Sequence, residues 1–439
     1  MTDLEKARIE INRIDAEMAR LFEERMHAAA SIAAYKQERC LPIRDPDRER
    51  ALIDRNRALI GDHAISSYYI QFLQNTIRLS CDYQSALMRE MRAADAGTEG
   101  SSASMMLSIR HRSADYDITL RRGALADAGT LMRLDRKVLI VTDDGVPAGY
   151  ADSIAAQCLY PFRITIPAGE RSKCSDQLKR LLSAMVSASF TRNDCIVAVG
   201  GGVAGDLSGL AASCYMRGID FYNVPTTLLS QLDSSIGGKT AIDFEGLKNI
   251  VGAFYPPKGV LIDPDTLKTL NARQLHAGLA EAIKMGMTGD AGLFALIESC
   301  GSLNEALPEI IRRALLVKKS VVEQDPTENG LRRSLNFGHT IGHAIESASG
   351  GSLLHGECVA LGMLPMCSSS VRSRLRDVLY KYDLPVRIDQ APDQLLPYLT
   401  HDKKMLSDRI RTVWVDEIGS FRFADLTPAE ILKNLEKAQ

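Results

Sequence analysis

The 439-residue chain has nine cysteines but no Cys-x-x-Cys spacing among them. Scattered thiols of this kind fit a reducing compartment rather than a disulfide framework. Net charge is also lacking. A formal value of −2 provides no basic field to attract nucleic acid. No stretch approaches the ~20 apolar residues of a membrane-spanning helix. The opening MTDLEKARIEINR is charged from its third residue and has no apolar signal core. Internal repeats are absent. These absences point to a soluble, cytoplasmic protein with no nucleic-acid and no membrane partner. What is present is 45% apolar residues, ample for globular cores. The length fits two or three domains.

One composition break divides the chain. RAADAGTEGSSAS, residues 92–104, is small and polar, like a flexible linker. Before it, Ile11, Ile14, Met18, Leu21, Arg25, Ala28 and Ile32 follow steps of three and four, the seam of a helix. Pro42 interrupts. Asp45-Pro46 then reads as an N-cap with proline at N1, opening a second helix. A third is predicted over about 64–88. Three helices make a thin core, so this segment is expected to dimerise. After the linker, VLIV (138–141), RITI (163–166) and CIVAV (195–199) read as strands with helical stretches between, an α/β pattern with a parallel sheet. Beyond about Asp263 helices dominate. The expected domains are 1–91 (all-α), 92–104 (linker), 105–263 (Rossmann-like α/β) and 264–439 (helical), with a cleft between the last two.

The first segment places charge where a core should be. Arg25 lies on the apolar seam, and Lys36 follows on the same face. Arg48 and Glu49 open the second helix, and Ser80 and Gln84 sit one turn apart on the third. A single arginine at a helix edge commonly snorkels. Several buried cations with too few acids call for an anionic ligand, such as a dicarboxylate. Arg8 shares the phase but lies ~25 Å from Arg25 along the helix. One small ligand reaches both only if a second chain supplies Arg8. Arg8, Arg25, Lys36, PIRDPDRER (42–50), Ser80 and Gln84 together resemble the all-helical chorismate mutase family over residues 1 to about 90. The resemblance implies an intertwined homodimer that rearranges chorismate to prephenate. It implies that Arg25 and the second chain's Arg8 grip the substrate carboxylates. Lys36 and Gln84 would meet the ether oxygen, Glu49 and the Asp45 backbone the ring hydroxyl, with Arg48 and Ser80 completing the pocket. A pericyclic shift needs positioning and charge stabilisation, not proton transfer. Asp45 also has a purely structural role open to it as an N-cap.

In the second segment, AVGGGVAGDLSG (198–209) follows a strand and opens a helix. Its Gly200-x-Gly202-x-x-Gly205 spacing lets backbone N–H groups approach a pyrophosphate. PTTLLSQLDSSIGGKTAID (225–243) is rich in Thr, Ser and Gly, and also reads simply as a polar loop. NFGHTIGHA (336–344) sets His339 and His343 four apart, without the glutamate of a zinc-protease motif. His355 follows in LLHGE. Two imidazoles and one carboxylate would make a zinc site open to substrate. Glu281, a turn before Lys284 on a predicted helix, is the best acid, although the residues alone do not decide among the acids.

The ordered run PAGERSK (167–173), GGGVAGD (200–206), YMRG (215–218), PTTLL (225–229), DSSIGGKTAID (233–243), LKNIVGAF (247–254), AEAIK (280–284), LNFGHTIGHAIE (335–346), LHGE (354–357) and DKK (402–404) resembles 3-dehydroquinate synthase. The resemblance covers about 105 to the C-terminus. It implies zinc (or cobalt) on Glu281, His339 and His355, with His343 contacting substrate or relaying protons. It implies NAD on Asp143, Glu170, Lys173, Gly201, Gly202, Val203, Asp206, Thr226, Thr227, Asp233, Lys248 and Thr269. The implied substrate is 3-deoxy-arabino-heptulosonate 7-phosphate (DAHP). Its phosphate and carboxylate would meet Lys239, Asn249, Lys284, Lys318, Arg332, Asn336 and Lys403 or Lys404, with Arg217 from a dimer partner. In the implied reaction a hydroxyl is transiently oxidised, phosphate leaves by elimination, hydride returns, and an aldol closes the ring. TLNARQL (269–275) departs from the family's TLPxRE run at Asn271 and Gln274, where only local effects are expected.

The whole chain thus reads as a bifunctional aromatic-pathway enzyme, homodimeric or larger, whose two reactions are not consecutive. Two other readings stand beside it. The helical segment could be a chorismate- or prephenate-sensing or dimerising module. The second segment could be a related sugar phosphate cyclase or a metal-dependent polyol dehydrogenase.

Overall fold

A computed structural model describes residues 2–38, 46–62, 64–95, 105–110, 115–325, 330–400, 405–406 and 409–438. Asp45, Lys403 and Lys404 lie outside these residues, and of Glu49 only the backbone is described. The chain divides into two compact units, Met1–Ala103 and Ser104–Gln439.

The first unit is three helices: α1 (Asp3–Glu38), α2 (Pro46–Arg57) and α3 (Ser66–Asp95). Proline opens α2 where its missing N–H costs nothing. Helix α3 continues into residues 92–95, which the composition assigned to the linker. Arg92, Ala93 and Ala94 favour helix, and the first glycine comes only at Gly97. Helices α1 and α3 pack together, and Ala29, Ala33, Leu73 and Ile77 are buried. The rest of the α1 seam is not a core. Ile11, Ile14, Met18 and Leu21 are all exposed. A lone helix pair has too little facing surface to cover a seam of this length.

The second unit begins with β1 (Met105–Ile109), β2 (Tyr116–Leu120), α4 (Ala128–Leu131), β3 (Lys137–Asp143), α5 (Ala148–Ala155), β4 (Tyr160–Ile166), α6 (Ser175–Ser187) and β5 (Cys195–Gly200). It continues through α7 (Gly202–Cys214), β6 (Asp220–Pro225), β7 (Lys239–Phe244), β8 (Leu247–Phe254) and β9 (Gly259–Ile262). Seven strands form one sheet in the order β1-β2-β9-β6-β5-β3-β4. All pairs are parallel except β1 with β2. The central strand CIVAVG is buried at every residue, as a strand covered by helices on both faces must be. Strand order reverses between β3 and β5. That switch point opens a crevice at the carboxyl ends of those strands. Strands β7 and β8 form a separate antiparallel hairpin, whose first strand begins at the end of the 225–243 stretch that also reads as a polar loop.

The remaining elements are α8 (Ala272–Gly289), α9 (Ala291–Ser299), α10 (Leu303–Gln324), α11 (His339–Ala348), α12 (His355–Met363), α13 (Ser369–Lys381), α14 (Pro392–Thr400), β10 (Met405–Leu406), β11 (Arg409–Trp414), β12 (Arg422–Leu426) and α15 (Pro428–Glu436). The expected helical domain therefore carries a small antiparallel sheet, β10-β11-β12. In RIRTVW the alternation of charged with apolar residues breaks at Thr412, too short a run to stand out among long helices. A continuous core joins α8–α15 to β1, β2 and β9. Every cysteine among the described residues is a free thiol. No helix among them is long and apolar enough to cross a membrane.

Candidate active sites

The crevice at the switch point gathers most of the residues expected to hold a dinucleotide. Asp143 ends β3 and Gly200 ends β5. No side chain caps α7, which starts beside Gly201, so its first-turn N–H groups are available to an anion. Thr226 N–H donates to the Gly200 carbonyl at 3.0 Å, setting the Thr226-Thr227 turn beside the glycines. Lys173, buried, pairs with Asp206 at 2.8 Å and with Glu170 at 3.4 Å. Burial pushes the Asp206 carboxyl up to about 6 despite Lys173. Thr269 is held by the Tyr150 hydroxyl at 2.9 Å, on the rim of the same domain. Asp233 sits in a single π-helical turn, Ser230–Ser234, a geometry that recurs at functional sites. The residues fit a dinucleotide laid across the strand ends.

The histidines converge under α8. Glu281 is fully buried. Its Oε1 lies 3.6 Å from His339 Nε2 and 3.6 Å from His355 Nε2. Donors about 2.0–2.1 Å from a tetrahedral ion stand about 3.4 Å apart, so this spacing suits one shared ion. Lys284 Nζ forms an ion pair with Oε2 off the hydrogen-bonding direction, and both carboxylate oxygens are buried without accepting a hydrogen bond. Lys284 offsets the carboxylate's charge from the Oε2 side, while Oε1, facing both imidazoles, keeps lone pairs open to a further cation. Burial pushes the Glu281 carboxyl up, but Lys284 and the two imidazoles outweigh it and hold it well below the usual range. Burial and the neighbouring Lys284 keep His339 neutral, with its Nδ1 on the Phe337 carbonyl at 3.1 Å. That bond leaves Nε2 as the free lone pair. His343 is also near: one ring nitrogen from each of His339, His343 and His355 lies within 4.8 Å of the others. His343 is exposed whereas His339 is buried, so His343 stands on the open side of the cluster. These donors fit a divalent ion of the zinc or cobalt kind.

Cations surround this centre. Lys318 is buried and donates to the Asp233 backbone carbonyl and, at 2.6 Å, to its Oδ1. Burial, opposed by Asp233, leaves Lys318 lowered to about 8. Arg332 is buried under the Gly237-Gly238 turn, Lys284 lies one turn after Glu281 on α8, and Asn336 ends the turn before α11. Lys239 and Asn249 project from the β7–β8 hairpin, both exposed, with Asn249 in the left-handed region at φ 54°. Arg217 is exposed and left-handed as well, at φ 68°. A bulky residue held there is strained, which marks a turn set by its surroundings.

In the first unit Arg25 Nη1 donates to the Thr76 carbonyl at 3.2 Å and to Ser80 Oγ. Ser80 and Gln84 are buried, and Gln84 Oε1 has no hydrogen-bond partner. Lys36 is half-buried further along α1. Arg25, Ser80 and Gln84 are thus brought to one face, while Arg8 and Arg48 are exposed.

Several supporting residues escaped the sequence reading. Lys248, expected on the cofactor, bonds Glu346 at 2.6 Å, and Glu346 in turn accepts from His355 Nδ1 at 3.0 Å. Glu346 lies seven residues after His339, two helical turns along the same face, a visible signal. Arg273 grips Glu357 through two bonds of 2.6 and 2.8 Å, tying α8 to α12. Asn271, the departure noted above, caps α8 by accepting from Arg273 N–H at 2.8 Å. Two of the three ligand helices, α8 and α12, meet closely at Gly356, where an added Cβ would lie 1.8 Å from the Ala277 carbonyl oxygen. Gly356→Ala must part α8 from α12, so it is expected to cost about 3 kcal/mol in denaturant unfolding. It should also weaken metal retention, read by metal analysis after dialysis.

Comparison with known proteins agrees with this geometry. The family model for the 3-dehydroquinate synthase N-terminal region matches residues 163–277, and that for its C-terminal region matches 278–405. The chorismate mutase type II model matches residues 7–85. A 3-dehydroquinate synthase of Streptococcus suis (strain 05ZYH33) is 39% identical over 354 residues, covering 76% of this chain and 100% of that protein. Among solved structures, the 2-epi-5-epi-valiolone synthase ValA of Streptomyces hygroscopicus subsp. jinggangensis 5008, with NAD+ and Zn2+ bound, aligns with a TM-score of 0.69. It is 31% identical, over 75% of this chain and 98% of that one. A 2-deoxy-scyllo-inosose synthase complexed with carbaglucose-6-phosphate, NAD+ and Co2+ shares the fold, with a TM-score of 0.67 at 24% identity over 76% of this chain and 100% of that one. A relative matched along its full length and adjoining models on both sides of Ala277 leave one conclusion: this chain belongs to the 3-dehydroquinate synthase family and carries a chorismate mutase type II domain ahead of it.

Proposed function

We propose that the chain converts DAHP to 3-dehydroquinate and phosphate with bound NAD and a divalent metal, and rearranges chorismate to prephenate. The observation that carries the first reaction is Glu281, buried without hydrogen bonds and 3.6 Å from two imidazole nitrogens. When bound, zinc or cobalt would acidify a substrate hydroxyl, and NAD would take hydride from the carbon that bears it and later give it back. Glu281, His339 and His355 hold the ion. The Gly201–Val203 turn, Thr226, Thr227, Asp143, Lys173 with Glu170 and Asp206, and Asp233 hold the dinucleotide, with Thr269 and Lys248 at its edges. Lys284, Lys318, Arg332 and Asn336 neutralise the substrate phosphate and carboxylate from the buried side. Lys239 and Asn249 act from the exposed side, Lys403 adds a further cation, and Arg217 reaches in from a second copy. His343, on the open side of the metal cluster, relays the proton of the substrate hydroxyl.

The second reaction rests on Arg25, aimed by Thr76 and Ser80 beside buried Gln84. Arg25 binds a substrate carboxylate, Lys36 and Gln84 meet the ether oxygen, and Ser80, Arg48, Glu49 and the Asp45 backbone complete the pocket. The exposed seam Ile11–Leu21 favours a second copy lying along α1, which would also supply Arg8. The chain is then a homodimer or larger assembly.

The test is to supply DAHP to the purified full chain and follow phosphate and NADH together. Phosphate equal to dehydroquinate, with no net NADH, is expected. Net NADH without phosphate would support a polyol dehydrogenase instead. The state of Lys318 sets a pH dependence. Its ammonium is present below about 8 and lost above it, so anion binding weakens as pH rises. The KM for DAHP should increase about tenfold by pH 9 in steady-state kinetics. Lys318→Arg, which stays charged, should flatten that rise.

A further inference from the structure

We propose that Glu346 is a positioning residue for the metal centre, acting through His355, and that Lys248 holds Glu346 in place. The inference rests on the metal reading above. The two imidazoles are secured by different devices. His339 is 11% exposed, and its Nδ1 is fixed on a main-chain carbonyl that no substitution removes. His355 is 32% exposed and has less packing to stop its ring turning. Its orientation depends on one side chain, with Glu346 Oε2 3.0 Å from Nδ1. That bond holds the ring with its Nδ1 edge on Glu346 and its Nε2 edge toward Glu281, the orientation in which Nε2 would meet an ion beside that carboxylate.

Glu346 is itself immobilised, because its other oxygen accepts from Lys248 Nζ at 2.6 Å. The three residues come from three elements: Lys248 from the β7–β8 hairpin, Glu346 from α11 and His355 from α12. Helix α11 therefore supplies one ligand, His339, and the holder of the other. The hairpin that carries exposed Lys239 and Asn249 is tethered to the metal centre through Lys248. A carboxylate behind an imidazole also strengthens it as a donor, so orientation and donor strength act in the same direction.

Metal affinity, rather than turnover, tests this. The full chain is stripped with a chelator and titrated with zinc against a chromophoric chelator of known affinity. Wild type is expected to take up zinc tightly and Glu281→Ala to lose it. Glu346→Ala should bind zinc 10–100-fold more weakly, the effect typical of an orienting partner. Glu346→Gln keeps an acceptor for Nδ1–H and similar volume, so it should recover most of that loss. Lys248→Met should weaken binding less than Glu346→Ala. The visible absorption of the cobalt-loaded chain reads ligand geometry and should shift in Glu346→Ala more than in Glu346→Gln. If Glu346→Ala fails to fold, Glu346→Leu and Lys248→Met still decide: both binding zinc as tightly as wild type, with an unchanged cobalt spectrum, overturns the proposal. Tight zinc uptake by wild type and folded Glu346→Ala alike overturns it while leaving the metal site standing. No zinc uptake by wild type overturns the metal reading and this inference with it.

Discussion

Glu281→Gln should lower dehydroquinate formation by about 10³-fold, equivalent to about 4 kcal/mol, while leaving chorismate consumption unchanged. The size follows from where the carboxylate sits. It is buried, accepts no hydrogen bond and faces two imidazole nitrogens at equal distance. The amide keeps the volume but removes the charge that a divalent ion needs. Glutamine is the better replacement because Lys284 is also buried, and alanine would leave its charge beside a cavity. Phosphate release from DAHP and metal content are measured on the same preparation. Chelation of wild type should reproduce the loss, and zinc or cobalt should reverse it. A variant that keeps both metal and turnover would remove Glu281 from the site. Because the mutase unit contains none of these ligands, its activity serves as an internal control for concentration and folding.

How far the sequence alone leads varies with the kind of signal. A histidine cluster was legible because His339, His343 and His355 fall close in sequence, whereas only the resemblance selected Glu281 and set His343 apart from the ligands. The glycine-rich turn was legible because it follows an apolar strand and opens a helix, but its spacing alone is a weak signal and the individual cofactor residues came from the resemblance. Strands β11 and β12 were missed because RIRTVW and RFADL keep no sustained alternation and stand among long helical runs. The second layer of the site was missed for a different reason. Glu346 and Lys248 are 98 residues apart in sequence, so no local pattern reports their bond. Arg273 and Glu357 are 84 apart and are equally silent. The α1 seam was legible as a seam, but periodicity does not say what covers it. In the structure described here Ile11, Ile14, Met18 and Leu21 face outward.

Arg25→Ala should lower chorismate turnover about 10³-fold, with DAHP conversion unchanged. A pericyclic rearrangement gives the protein no proton to move, so its rate comes from holding one conformer and stabilising charge as the ether bond breaks. Arg25 is prepared for that task before substrate arrives. Its Nη1 is fixed on the Thr76 carbonyl and Ser80 Oγ, so little side-chain entropy remains to be lost on binding. The remaining guanidinium N–H groups can then meet a carboxylate in the two-bond geometry that only a planar fork supplies. Arg25→Lys restores charge without that geometry and should recover only part of the rate. Ser80→Ala, which removes one aiming contact and leaves the charge, should fall between wild type and Arg25→Ala. Chorismate disappearance by the full-length chain measures all three. Chorismate bound but not consumed by wild type would recast the helical unit as a sensor, because binding a dicarboxylate needs Arg25 but does not need Lys36 and Gln84 beside it.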